Sequence, residues 1–388
     1  MPRVIWHLGW ISFFADVSSE MAYPIVPLFV SQVLRAPVAA LGAIEGVAQA
    51  VVSIMKGWSG VQSDRIGRRL PFVQWGYGLS AIGKPLLAFT SVWPAVLGAR
   101  SLDRLGKGLR TTARDALIAD AADPRDYGKA FGLHSGLDTA GAFVGVMLLA
   151  LLVWRGLASA DFRNLFLWAG VPGLVSWFLT LLLREPRARD ASEAKPPEAG
   201  KAAKRFDLKS LSPAYWRALG LSTLFALANS SDTFLLLRAS TLGMSLLAVV
   251  LSYALYNVTY TLTTYPSGAL SDRLGRWRLL AIGWVFYAIV YAGFAMSGAG
   301  LIWLLFALYG VYIGATQGVN RALIADLAPK DARGSALGLF HMSTGFATLL
   351  ASLLGGWLWD RYGAPATFYA GSGLALVSAA LIPLTRSK

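Results

Sequence analysis

At 388 residues the chain is long enough for two or three soluble domains, but 55% hydrophobic against 14% charged residues excludes that class. The formal net charge of +14 invites a nucleic-acid reading, which the placement of the cations removes. No cysteine is present, so disulfide frameworks, thiolate chemistry and cysteine-based metal sites are excluded.

Apolar runs of membrane-spanning length follow one another along the chain. Twelve spans are predicted at 5–33, 39–62, 70–91, 94–120, 128–153, 163–183, 213–240, 243–270, 277–297, 300–327, 333–358 and 364–384. The first apolar stretch is too long for a signal peptide and has no small-residue cleavage site after it, so it reads as a span. It carries Asp16 and Glu20, four residues apart and on one helical face with Tyr23 and Pro27. The second span holds Glu45 and the third Lys84. The fourth holds Arg100, Asp103, Arg104, Lys107, Arg110, Arg114 and Asp115, and steps of three and four join its cations into one stripe. His134 and Asp138 sit four apart in the fifth, Asp232 in the seventh and Arg321 in the tenth.

Ionised side chains inside a bilayer are expensive and mark function by default. A stripe of this kind faces a water-filled cavity or is matched by carboxylates from neighbours; Asp16, Glu20, Glu45 and Asp138 are the candidates. Those four acids are the expected proton-exchanging set. Tyr23, Arg104, Lys107, Arg110, Arg114, Asp115, His134, Asn229, Asp232 and Arg321 are the expected substrate-binding set, the cations favouring an anionic or zwitterionic group. Buried ion pairs that only fix helix register are the plainer alternative.

Between the sixth and seventh spans lies a polar stretch rich in Pro, Ala, Lys and Glu, which cannot bury a core. It divides the chain into an N-terminal bundle at 1–183, a linker at 184–212 and a C-terminal bundle at 213–388. Lys and Arg crowd one set of connections, including Arg65, Arg68, Arg69, Arg273, Arg276, Arg278 and the linker. The other set carries only Arg35, Arg155, Arg163, Arg238 and Arg361. The positive-inside rule then places both termini and the linker in the cytoplasm.

The two halves echo each other. GVQSDRIGRR at Gly60–Arg69 returns as GALSDRLGRWR at Gly268–Arg278, ALIAD at Ala116–Asp120 returns at Ala322–Asp326, and VSSEM at Val17–Met21 is loosely matched by NSSDT at Asn229–Thr233. Three pairs in one order and at nearly one spacing indicate a duplicated half, and hence two similar bundles with a site where they meet.

The repeated string resembles the cytoplasmic loop between helices two and three of the major facilitator superfamily, with its weaker copy between helices eight and nine. The resemblance implies an all-α membrane fold of twelve helices in two pseudo-symmetric six-helix bundles. It implies that Gly60 permits close helix contact, and that Asp64 caps helix eleven near Arg333–Gly338. Arg65, Gly67 and Arg68 complete that conformational latch, with Asp120 a partner for Arg68. Gly268, Asp272, Arg273, Gly275 and Arg276 are its mirror. Gly132, Gly141 and Gly145 match the spacing of the family's helix-five antiporter motif, although Val146 stands where that motif has proline. The helix-four stretch departs from the family's usual R-x-x-Q-G string and resembles an efflux-type bacterial subset.

The expected function is therefore a proton-coupled secondary transporter of the bacterial inner membrane, multi-pass and working as a monomer by alternating access. It exports a small amphipathic or anionic/zwitterionic solute by antiport. Proton symport of a small organic anion is the first alternative. A metal or siderophore carrier is another, weakened because one histidine and three acids on two helices form no metal-binding spacing. No cofactor, resident metal or nucleic-acid partner is expected. The His134/Asp138 pair has acid–base chemistry on paper, but the chain has neither a nucleophile motif nor a phosphate-binding glycine loop, so an enzyme is not expected.

Overall fold

The computed structural model describes residues 2–123, 127–157, 162–183, 211–329 and 333–383, so the linker lies almost wholly outside the described residues. Every regular element among them is helical. In the first half these are α1 (Arg3–Ala22), α2 (Val26–Leu28) running into a π-helical turn at Phe29–Val33, α3 (Val38–Ile66), α4 (Leu70–Leu86), α5 (Trp93–Ala121), α6 (Tyr127–Trp154) and α7 (Arg163–Leu181). The second half holds α8 (Pro213–Ala228), α9 (Thr233–Thr241), α10 (Leu246–Leu274), α11 (Arg276–Met296), α12 (Ala299–Leu327), α13 (Arg333–Tyr362) and α14 (Ala364–Leu381).

These are the twelve predicted spans, with two of them interrupted. The first breaks at 23–25, where Pro24 and Pro27 remove backbone donors, and the seventh breaks at 229–232. The first break follows the VSSEM stretch, and the second falls within its NSSDT echo. Paired discontinuous helices of this kind expose backbone polar groups where a transport site forms. Among the described residues, nine helices are long and apolar enough to cross a membrane on those criteria alone. The three exceptions have clear causes: α4 is short, α5 is charged, and α8 and α9 share one span.

Packing repeats as the sequence does. In the first half α5 lies against α3 and α4, α1 against α6 and α7, and α4 against α7; in the second, α12 lies against α10 and α11, α8 against α13 and α14, and α11 against α14. The halves meet twice in matching fashion, α3 along α13 and α6 along α10. Gly67 (φ 68°) and Gly275 (φ 88°) end α3 and α10 in corresponding loops, and each donates its N–H to a serine carbonyl, Ser63 and Ser271. Only glycine adopts that backbone without a steric penalty, which explains its place in both copies of the string.

Large apolar side chains such as Phe178, Leu182, Ile282, Ile289, Leu354 and Val377 are exposed on the outer surface. With water as the only alternative this would be costly; in a bilayer it is the expected lipid-facing belt. Arg100, Asp103, Arg110, Glu45 and Lys84 are instead buried among helices.

Alternating span directions put both described chain ends on one side of the bundle. On the opposite, far side the halves are joined. Gln32 Nε2 donates to Ser240 Oγ at 2.8 Å, and the Val38 and Ala39 N–H groups donate to Asp360 at 2.9 and 2.8 Å. Here α3 and α13 cross at near-backbone contact: a Cβ added at Gly42 would overlap the Ser352 carbonyl, and one at Gly356 would meet Val38 and Ala39. Towards the termini side the same two helices part, and added Cβ atoms at Gly57 and Gly338 meet nothing within 4 Å. The molecule is closed on the far side and open on the termini side.

Candidate functional site

The cation stripe of α5 divides by depth into groups with different partners. At its far-side end Arg100 is 2% exposed and grips Glu45 through three bonds: Nε to Oε1 at 3.0 Å, and Nη2 to Oε1 and Oε2 at 2.8 and 3.0 Å. Asp103 lies 3.6 Å from Arg100 Nη1 and 3.2 Å from Lys84 Nζ, which also donates to the Ser80 carbonyl. These four groups form a closed, buried network. Lys84 and Arg100 are therefore interior and not snorkelling, and Glu45 is committed to structure.

Further along, Arg110 is 3% exposed and lies over the Tyr77 ring at 4.2 Å, with Nε and Nη1 unpartnered. Next to it, Ser12 Oγ lies 2.9 Å from Tyr77 Oη and 2.8 Å from His134 Nε2, and accepts from Arg114 Nη1 at 3.1 Å. Arg114 also holds Asp115 at 2.9 Å. His134 is thus enclosed in a polar cluster that ties α1, α4, α5 and α6 together. Its i, i+4 neighbour Asp138 faces a cavity instead.

That cavity, about 690 Å³, lies between α1, α6 and α10. Asp16, Glu20 and Asp138 line it with Ser135, Thr139, Asn257 and Tyr260. Asp16 and Asp138 share this wall, with Arg114 and Lys107 as the cations acting on Asp138. Glu20 accepts from Tyr253 Oη of the other half at 2.8 Å. Tyr23 stacks on Tyr253 with centroids 5.6 Å apart and has the Arg100 guanidinium 5.8 Å from its own. The predicted face of Asp16, Glu20 and Tyr23 therefore lies along the junction of the halves.

In the second half Asp232 accepts from Tyr309 at 2.7 Å and Tyr256 at 3.3 Å, and Tyr309 also donates to Asn229. Around them Tyr253, Tyr256, Tyr287, Tyr291, Tyr309 and Tyr312 stack in a continuous run with Phe225 and Trp284. Buried phenols need partners, and Asp232, Asn229 and backbone carbonyls supply several. Tyr287, Tyr291, Tyr309 and Tyr312 escaped the sequence reading, although their spacing of three and four on α11 and α12 was the available signal.

A second cavity of about 310 Å³ opens towards the termini side, between α3, α8, α11, α12 and α13. Asn229 and Arg321 line it, as the predicted substrate set requires. So do Lys56, Gln317, Asn320 and His341, which the sequence reading passed over. Tyr260 Oη, on the wall of the first cavity, donates to Gln317 Oε1, on the wall of the second, at 3.1 Å. Tyr23, Arg104, Lys107, Arg110, Arg114, Asp115 and His134 line neither cavity, and Asp232 lines a small void among the tyrosines.

At the repeated loop, Asp120 pairs with Arg69 at 2.7 Å, where Arg68 was the expected partner. In the copy Arg276 pairs with Asp326 and, at 3.4 Å, with Asp272. A Cβ at Gly60 would meet Thr112 of α5, in line with its expected helix contact, whereas one at Gly268 meets nothing. Arg65 is exposed. The Asp64 side chain and its expected partners at 333–334 lie outside what the structure describes.

The Major Facilitator Superfamily model matches residues 8–320 and 233–388. An MFS-type transporter of Methanocaldococcus jannaschii is 36% identical over 390 residues, covering 98% of this chain and 94% of its own. The multidrug resistance protein MdtH of Photorhabdus laumondii is 25% identical, with 88% and 82% covered; a probable 4-methylmuconolactone transporter of Cupriavidus pinatubonensis is 27% identical, with 76% and 70% covered. Among solved structures, the nucleoside transporter NupG superposes with a TM-score of 0.81 at 14% identity over 100% of both chains. The D-xylose–proton symporter gives 0.74 at 19% identity over 99% of this chain and 98% of that one. Paired broken helices, mirrored packing, the duplicated loop and these matches agree: the chain belongs to the Major Facilitator Superfamily and is a multi-pass membrane transporter, not an enzyme.

Proposed function

We propose that the chain is a proton-coupled carrier of a small zwitterionic or amphipathic organic solute, working as a monomer and exporting by antiport. The halves at 1–183 and 213–388, joined by the linker at 184–212, rock about the crossings of α3 with α13 and α6 with α10. The termini side is cytoplasmic in this reading, the host membrane is a bacterial inner membrane, and the observed state is inward-facing.

The observation that carries the proposal is Asp16, Asp138 and Glu20 together on the wall of one cavity, with Arg114 and Lys107 nearby and Glu20 bridging to Tyr253. Neighbouring carboxyls on one cavity wall inside the membrane are the groups that would exchange protons in this mechanism. A substrate ammonium competes with those protons for the same oxygens. Protons arriving on the far side then release the cationic end, which is the sign required for antiport. A substrate whose only charge is negative is instead repelled by the carboxylates, so protonation favours its binding and gives symport; the same pair thus sets direction through substrate charge. The relatives include a multidrug resistance protein and a probable 4-methylmuconolactone transporter, in keeping with an organic solute.

The test is flux in proteoliposomes holding a pH-sensitive dye, challenged with aromatic amino acids and N-alkyl betaines. Solute-driven proton movement should appear in the native protein and vanish in Asp138→Asn and Asp16→Asn. Solute flux indifferent to an imposed pH gradient sinks the coupling.

A further inference from the structure

The α5 stripe was the natural place to seek an anion site, but its cations are mostly engaged. Arg100 is held by Glu45 and Asp103, Arg114 by Asp115 and Ser12, and Arg110 is sealed under Tyr77. The second cavity is different. Among the described residues, neither Lys56 nor Arg321 forms an ion pair, and the one bond of the Arg321 guanidinium is a 3.4 Å contact to the Gln317 carbonyl on its own helix. His341 stands within electrostatic reach of both.

The neutral lining points the same way. Gln317 and Asn320 have their amide oxygens occupied by the Tyr260 and Ser222 hydroxyls, at 3.1 and 2.9 Å. Their NH₂ groups remain to donate into the cavity. No carboxylate lines it, and the acid acting on Lys56, Asp115, is engaged by Arg114. Phe225, stacked on Trp284 at 4.6 Å, and Phe340 form an apolar flank. The result is an unfilled set of donors beside a flat apolar wall, which is how a protein recognises a carboxylate or phosphate on a compact organic molecule.

We infer that this cavity is the anion subsite of the carrier: Lys56 and Arg321 bind the carboxylate or phosphate of the substrate, Gln317 and Asn320 orient it, and Phe225 and Phe340 flank its apolar body. Its part in transport rests on the proposed function; the binding does not. For a zwitterion, this places the anionic end here and the cationic end towards Asp16 and Asp138, with the bonded Tyr260 and Gln317 contributing one wall residue to each cavity. Lys56 belongs to α3 and Arg321 to α12, so the two like charges repel across the open termini side. A bound anion removes that repulsion and favours closure there.

The experiment is ligand-dependent thermal stability of the purified protein in detergent, without any gradient, using benzoate, phenyl phosphate and neutral benzamide as probes. Both anions should stabilise the native protein and benzamide should not. Arg321→Gln and Lys56→Gln should each weaken anion binding about tenfold or more, whereas Arg321→Lys retains much of it and Arg155→Gln, exposed at the far-side end of α6, changes nothing. The melting temperature of each unliganded variant shows whether it has folded, and Arg321→Lys supplies a readout if Arg321→Gln has not. Three results overturn the inference: no anion response up to about 20 mM, undiminished binding in both Lys56→Gln and Arg321→Gln, or equal loss in Arg155→Gln. Loss of binding in the two variants together with pH-indifferent flux leaves the subsite standing and removes the proton coupling.

Discussion

Asp360 gives the sharpest handle on the conformational equilibrium. Its carboxylate, on α13, accepts the first backbone N–H groups of α3, Val38 at 2.9 Å and Ala39 at 2.8 Å, across the junction of the halves. It therefore caps a helix belonging to the other half, a bond that exists only while the far side is closed. A helix cap contributes about 1 kcal/mol, and a carboxylate at the positive end of the helix dipole adds about 0.5 kcal/mol on an exposed site. Asp360→Ala should thus cost the far-closed state about 1.5 kcal/mol, a shift of about tenfold in the open-to-closed ratio. Asp360→Asn keeps one acceptor and loses the charge, so it should fall between. The chain has no cysteine, so introduced thiols at Val33 and Thr241 would be its only ones. Spin-label distances between these two, measured in nanodiscs, report the far-side gate directly. Identical distance distributions in the native, Asn and Ala proteins would refute the latch.

Gly42→Leu should act on the same gate more severely, because its side chain meets the Ser352 carbonyl in the closed crossing; the same labels should report a far side that no longer closes. Arg100→Leu leaves the buried Glu45 without its cation, so stability should drop by about 3–5 kcal/mol, read as a lower melting temperature. The double variant Arg100→Leu/Glu45→Leu should recover part of that loss, and no recovery would count against the pair. Tyr309→Phe removes the 2.7 Å donor to Asp232 and should destabilise by about 1–3 kcal/mol. A melting temperature equal to that of the native protein would mean that water replaces the phenol.

Helical period and motif spacing made the spans, the two bundles and the face bearing Asp16, Glu20 and Tyr23 readable, because those depend on residues close in sequence. The seventh span shows the limit. Its apolar run predicts one helix over 213–240, yet the chain turns at 229–232, where Asp232 meets Tyr256 and Tyr309 from two other helices. Lys56 shows it again, as a single cation in an apolar run that drew no notice until α12 and α13 placed Arg321 and His341 opposite it.

From the amino-acid order alone came the duplication, the all-helical membrane class and the inward-turned charge of α5, since lipid admits few other solutions to so many apolar runs and so many ions. Tertiary structure alone decided which ions are spent and which are available. Glu45 reaches Arg100 and Asp103 reaches Lys84 because helix crossings bring separate spans together, and Asp120 takes Arg69 in place of Arg68 for the same reason. Periodicity fixes the direction a side chain faces; only the crossing of helices fixes what it meets.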